Sequence, residues 1–151
     1  MTPGRGRLAG GKGHDMARKM QGNDGVKGNR EAVKAILAWM RTVGWEDAEL
    51  TRKAPCPTIR STEAVAQISF EMEPVPLLLV QAISGVASHE GRVPLCFAAG
   101  GFAPSARRWA ARAGVALFCF GQEGQVKATG RLAGTVARRF PSTRPLLHGA
   151  L

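Results

Sequence analysis

The sequence predicts an α/β fold, helices packed as a sandwich around a mixed sheet, and three features of it carry that expectation. The segment REAVKAILAWMRTVGW places Val33, Ile36, Leu37, Met40 and Val43 at the i, i+3, i+4, i+7 spacing of an amphipathic helix. Two continuous apolar runs, VPLCFAA and VALFCF, read as strands covered on both faces, the pattern of a parallel sheet under helices. Each of these runs follows a segment with helical character, which supplies the crossover that parallel strands require.

Taken in order, the folded part begins near Asn29, and its first helix is stopped by Gly44. AELTR and TIRS then read as short strands joined by the turn KAPCP, and AVAQISF as a third strand. EPVP breaks that strand, and LLLVQAISGVA forms a helix apolar on most sides, expected to fill the groove between the sheet and the helix layer. After VPLCFAA, the glycines of GGF and Pro104 open a further helix, SARRWAARAG, closed by Gly114. VALFCF follows, QVKATG adds one more strand, and the chain from about Pro141 is expected to be loose. Residues 1–28, rich in Gly and charge and poor in apolar side chains, read as a basic disordered tail. The domain is expected over 29–135, with 136–151 a basic flexible tail.

At 151 residues the chain has room for one domain with a core and not for two full-sized ones. Its net charge of +10 is unevenly placed. Residues 1–30 contribute +5 and residues 105–151 contribute +7, whereas 31–104 contribute −2. The net charge invites a nucleic-acid reading, and its confinement to the tails and the C-terminal third weakens it: a generic basic tail accounts for residues 1–28 as well as a DNA-gripping arm does. Cys56, Cys96 and Cys119 are far apart, and the last two lie in apolar runs, so they are expected to be free thiols in a reduced, cytoplasmic protein. No apolar segment approaches the length of a membrane span, and the basic start lacks the apolar stretch of a secretory signal.

The order of these elements, together with WMRTVGWEDAELT, TIRSTEAVAQISFEMEPVPLLLVQAISGVA and VPLCFAAGGFAPSARRWAARAGVALFCF, resembles the Mrr-like restriction endonucleases, a branch of the PD-(D/E)xK nuclease superfamily. The resemblance covers about residues 29–129 and implies a restriction-endonuclease-like α/β/α sandwich with a central mixed sheet. It further implies a site where an Asp on the second strand and a Gln on the third hold magnesium, with a Lys two residues beyond the Gln. Residues i and i+2 of a strand share a face, which gives that spacing its sense. In this chain Gln67 stands at the Gln position, but Thr58 falls where the Asp is expected and Ser69 where the Lys is expected. A neutral hydroxyl is a poor sole anchor for magnesium and a serine supplies no cation. The helix after AVAQIS has Leu77, Ala82 and Ala87 where relatives tend to carry arginines.

The resemblance, so altered, implies a degenerate domain: nuclease chemistry lost, weak binding to DNA or a partner kept. Two alternatives stand beside it. One is an active, magnesium-dependent endonuclease with a rearranged site, in which Glu63 is the candidate substitute acid, with Glu71 and Glu73 nearby, and Glu31 a candidate accessory acid. The other is a non-enzymatic assembly or regulatory protein, a homodimer joined through LLLVQAISGVA. Arg107, Arg108 and Arg112, the dense basic group within the folded part, are the candidate phosphate contacts, since 108 and 112 share a helix face with 107 beside them. His14, His89 and His148 are too scattered for a metal site or a triad, and GGF before a helix reads as a tight turn.

Overall fold

The computed structural model describes residues 28–53 and 56–139. Over these, helix α1 (28–42) leads into strands β1 (Glu49–Arg52), β2 (Thr58–Arg60) and β3 (Ala64–Ser69). Helix α2 (Leu77–Glu90), strand β4 (Val93–Ala98), helix α3 (Pro104–Ala113), strands β5 (Ala116–Phe120) and β6 (Val126–Thr129) and helix α4 (Arg131–Arg139) complete the order. The six strands form one sheet in sequential order, β1-β2-β3-β4-β5-β6. β3, β4 and β5 are parallel, and antiparallel pairs flank them on both sides, so the sheet is mixed as the sequence predicts.

Alternation along the central strands divides the core in two. Ala64, Ala66, Ile68, Leu95, Phe97, Ala116 and Phe118 face α1 and α4; Val65, Cys96, Ala98 and Leu117 face α2 and α3. Every residue from Leu95 to Ala98 and from Ala116 to Phe118 is buried, which is why both runs are apolar without a break. α1 buries Ala32, Ile36, Met40 and Val43, with Val33 and Leu37 flanking the stripe. Trp39 meets Phe97 and Phe118 edge-on at 5.8 and 5.0 Å, and those two rings stack at 5.0 Å across neighbouring strands.

Two loops show why glycine is used where it is. A Cβ on Gly100 would run into the Met72 carbonyl, where the chain leaving β4 passes against the chain leaving β3. Gly124, at φ 84° in the turn between β5 and β6, packs so closely against α1 that a Cβ would strike the side chain of Ala35.

The turn from β2 to β3 is set by side chains. The Ser61 hydroxyl accepts from the amides of Glu63 and Ala64 at 3.1 and 3.0 Å, and Asp47 accepts from both the amide and the hydroxyl of Thr62. Those two bonds hold the Asp47 carboxyl below the usual aspartate range. Next to this turn, Arg60 grips Glu90 bidentately at 3.1 and 2.9 Å, and Arg92 adds a third contact at 2.7 Å. The Arg60 hydrogen bond is the chief cause of the lowered Glu90 pKa.

Three expectations need correction. α4 replaces part of the expected tail: Leu132, Ala133, Val136 and Ala137 pack onto the core, so the fold continues past residue 135. α2 does not fill a groove on most sides; it buries only Val80, Ile83 and Ala87, because the sheet and α3 reach one side of it. The first helix includes residue 28, at the edge of the expected tail. The expected loose segment from Pro141 lies outside the described residues, as does most of the N-terminal tail.

Two measurements follow. Phe118→Ala should cost about 3–5 kcal/mol of stability, read by urea unfolding, because it removes the ring on which Trp39 and Phe97 both rest. Glu90→Gln should reveal the pH dependence of the Arg60 contact. A carboxyl whose folded pKa is depressed contributes stability that is present above its unfolded value, about 4.3, and is lost as pH falls through the lower folded value. The wild type should therefore exceed Glu90→Gln in unfolding midpoint at neutral pH, and the gap should close in strong acid.

Candidate functional site

The β2–β3 pairing places Thr58 directly opposite Gln67. Residues opposite one another in an antiparallel pair share a face, and Ser69 lies two positions beyond Gln67 on that same face. The parallel β3–β4 register adds Cys96 beside Gln67 and Ala98 beside Ser69. Thr58, Gln67, Ser69 and Cys96 therefore form one patch on the side of the sheet that carries α2 and α3.

The side chains of this patch are neutral. Thr58 is buried, and its hydroxyl donates to the Cys56 carbonyl at 3.2 Å. Its own carbonyl accepts from the Thr51 hydroxyl at 3.2 Å, which ties β2 to β1. Gln67 is half-buried. The half-buried Ser69 hydroxyl lies 3.4 Å from the Glu71 amide, a loose contact at the end of the strand. Burial, reinforced by the neighbouring Cys56, pushes the Cys96 thiol up to about 12, so it stays protonated and is no nucleophile at neutral pH.

This donor set does not fit magnesium. A hard divalent cation needs carboxylate or several carbonyl oxygens around it, and the patch offers two hydroxyls, one amide and a thiol. Among the described residues, no three of His, Cys, Asp and Glu gather where they could hold a metal ion.

The acids considered as substitutes lie elsewhere. Glu63 is exposed at the opposite end of β3, four residues before Gln67, which at about 3.3 Å per residue is roughly 13 Å away. Glu31 is exposed on α1, across the sheet from the patch, with Lys34 at 3.9 Å. Glu71 and Glu73 are exposed beyond the end of β3. The structure thus brings Thr58, Gln67 and Ser69 together, leaves Glu63 and Glu31 apart from them, and places Glu71 next to Ser69 at the exposed end of the strand.

A second site lies at the other end of the sheet. Arg107, Arg108 and Arg112 are exposed on α3, and α3 stands beside an open cleft of about 130 Å³ against β5, β6 and the start of α4. Arg107 and Arg131 line it from opposite walls, with Ala110, Leu117 and Leu132 supplying an apolar surface and Thr129 a hydroxyl. Lys127 pairs with Cys119 and so points to the same face of the sheet as α3. Arg131 was missed in the sequence because the helix it begins was missed; the apolar pairs Leu132–Ala133 and Val136–Ala137 were the available signal.

Compared with protein-family models, curated proteins and solved structures, the chain matches none. Among the described residues no helix is long and apolar enough to cross a membrane.

The thiols give a direct check on the patch. With a thiol-reactive dye on native protein, the half-buried Cys56 and Cys119 should label first, and Cys96 only as the protein unfolds.

Proposed function

We propose that this chain is a restriction-endonuclease-like domain that has lost its nuclease chemistry and binds the DNA backbone electrostatically through α3, β6 and the start of α4. The observation that carries the reading is the register of β2 and β3. Thr58 faces Gln67 across the strand pair with Ser69 on the same face, the arrangement expected of the resemblance, but with neutral residues at the acid and lysine positions. The element order of one helix, three strands, helix and strand supports it as well.

The choice of DNA backbone as partner rests on charge. From residue 105 to 139 the chain carries seven Lys or Arg against the single acid Glu123. Arg107, Arg108, Arg112, Lys127 and Arg131 are exposed on or beside the α3 face of the sheet. Cations of this kind neutralise phosphates and release counterions, which gives affinity without base readout.

Cleavage of plasmid DNA in magnesium or manganese tests the first half of the proposal. The natural chain should leave the plasmid intact, and Thr58→Asp with Ser69→Lys should introduce nicking. Chelator-sensitive cleavage by the natural chain would contradict the reading. Binding to a short duplex as a function of salt tests the second half. Five phosphate contacts would give a slope of log K against log salt of about −4.5. Arg107→Gln with Arg131→Gln should make it shallower by about 2, with little change in sequence preference.

A further inference from the structure

Two of the cations in the basic half are placed differently from the rest. Arg107 and Arg131 line the cleft of about 130 Å³, one from α3 and one from the start of α4, whereas Arg108, Arg112 and Lys127 are exposed outside it. Space of that size takes on the order of ten water molecules, enough for a phosphate and the group next to it and too little for a length of duplex. Beside the two guanidiniums, the lining offers one further polar side chain, the Thr129 hydroxyl. It lies 3.1 Å from the Cys119 thiol, and with that thiol as donor its own hydrogen is free for an anion. Ala110, Leu117 and Leu132 make the rest of the surface apolar.

Among the described residues no carboxylate lines the cleft. Glu123 belongs to the turn at the opposite ends of β5 and β6. At the cleft's own end of the sheet Glu63 precedes β3, two strand spacings from β5, or about 10 Å. Glu90 is clasped there by Arg60 and Arg92, and Asp47 by Thr62. Arg107 and Arg131 therefore face one small space with no acid between them. Like charges on facing walls repel, and an anion placed between them removes that repulsion.

The shape of the space selects among phosphates. A phosphate within a strand carries one charge and continues through an ester on either side, so to enter between two walls it would have to draw both neighbours in with it. A terminal phosphate continues on one side only, and at neutral pH it carries about −1.5 to −2, which matches two cations. We infer that the cleft is a pocket for a terminal phosphate, the phosphomonoester at the end of a DNA strand. The inference rests on the DNA reading above and adds to it the kind of phosphate that Arg107 and Arg131 neutralise.

The test compares two short duplexes, identical but for phosphate or hydroxyl groups at the strand ends, in binding to the full chain freed of nucleic acid. The phosphorylated duplex should bind about tenfold more tightly. Arg107→Gln and Arg131→Gln should each remove that preference, whereas Arg108→Gln should weaken both duplexes alike and keep it. All three positions are exposed, so the unfolding midpoint should hold. Equal affinity for the two duplexes would overturn the inference and leave the DNA reading standing. A preference that both cleft variants keep would overturn it too, since the strand end would then be held elsewhere. If neither duplex binds, the DNA reading fails, and thymidine monophosphate titrated beside thymidine decides the cleft. Binding of the monophosphate alone, lost in Arg107→Gln, would identify a small phosphomonoester as its ligand, and no difference between the two would sink the pocket as well.

Discussion

The parallel pairing of β3, β4 and β5 is the constraint from which the rest of this structure follows. Parallel neighbours cannot be joined by a tight turn, so the chain must cross over through α2 and α3, and both crossovers pack on the same face of the sheet. The opposite face is left for α1 and α4, and the aromatic contact of Trp39 with Phe97 and Phe118 seals it. With both crossovers on one side, the helices never part to opposite sides between adjacent parallel strands. The crevice at which open α/β sheets commonly bind ligands therefore has no place to form in the middle of the sheet. Surface chemistry is pushed outward, to the β2–β3 pair on one side and the β5–β6–α4 corner on the other.

Those two regions differ in charge for a simple topological reason. Strand order in space repeats strand order in sequence, so a drift in composition along the chain becomes a gradient across the molecule. Glu46, Asp47, Glu49, Glu63, Glu71, Glu73 and Glu90 all fall in the half that contains β1, β2 and β3 or at the ends of the elements joining them to β4. Arg107, Arg108, Arg112, Lys127 and Arg131 fall in the half that contains α3 and β6. The buried centre between them holds the uncharged strands. The first half thus mixes charges, with Arg60 and Arg92 paired to Glu90, whereas the second carries its cations against Glu123 alone, and a polyanion meets that half with little opposing charge nearby.

Much of this was legible in the sequence where burial leaves a pattern. VPLCFAA and VALFCF are apolar throughout because both faces of β4 and β5 are covered, and the stripe of α1 keeps its period because one side alone is covered. The register of Thr58 against Gln67 is set by the short turn at Ser61, Thr62 and Glu63, whose closing hydrogen bonds only the structure displays. The groove expected for α2 fails for the converse reason: a helix apolar on most sides does not show in its sequence which side is covered, and only tertiary contacts reveal it. α4 was missed because Gly134, Thr135 and Val136 are weak helix formers and the helix forms by packing against α1 and the sheet. The cleft between Arg107 and Arg131 depends on that same packing and has no signature in local sequence.

The sequential strand order also bears on how the chain assembles as it is synthesised. Each strand pairs with the one made just before it, so the sheet can grow at a single edge without inserting a late strand between early ones. α1 is the exception. It is made first, yet Trp39 rests on Phe97 and Phe118, and Ala35 lies against Gly124, all supplied from β4 onward. The apolar side of α1 therefore has nothing from β4, β5 or the following turn to pack against until those residues have been made. The first element made is thus one whose partners are among the last made.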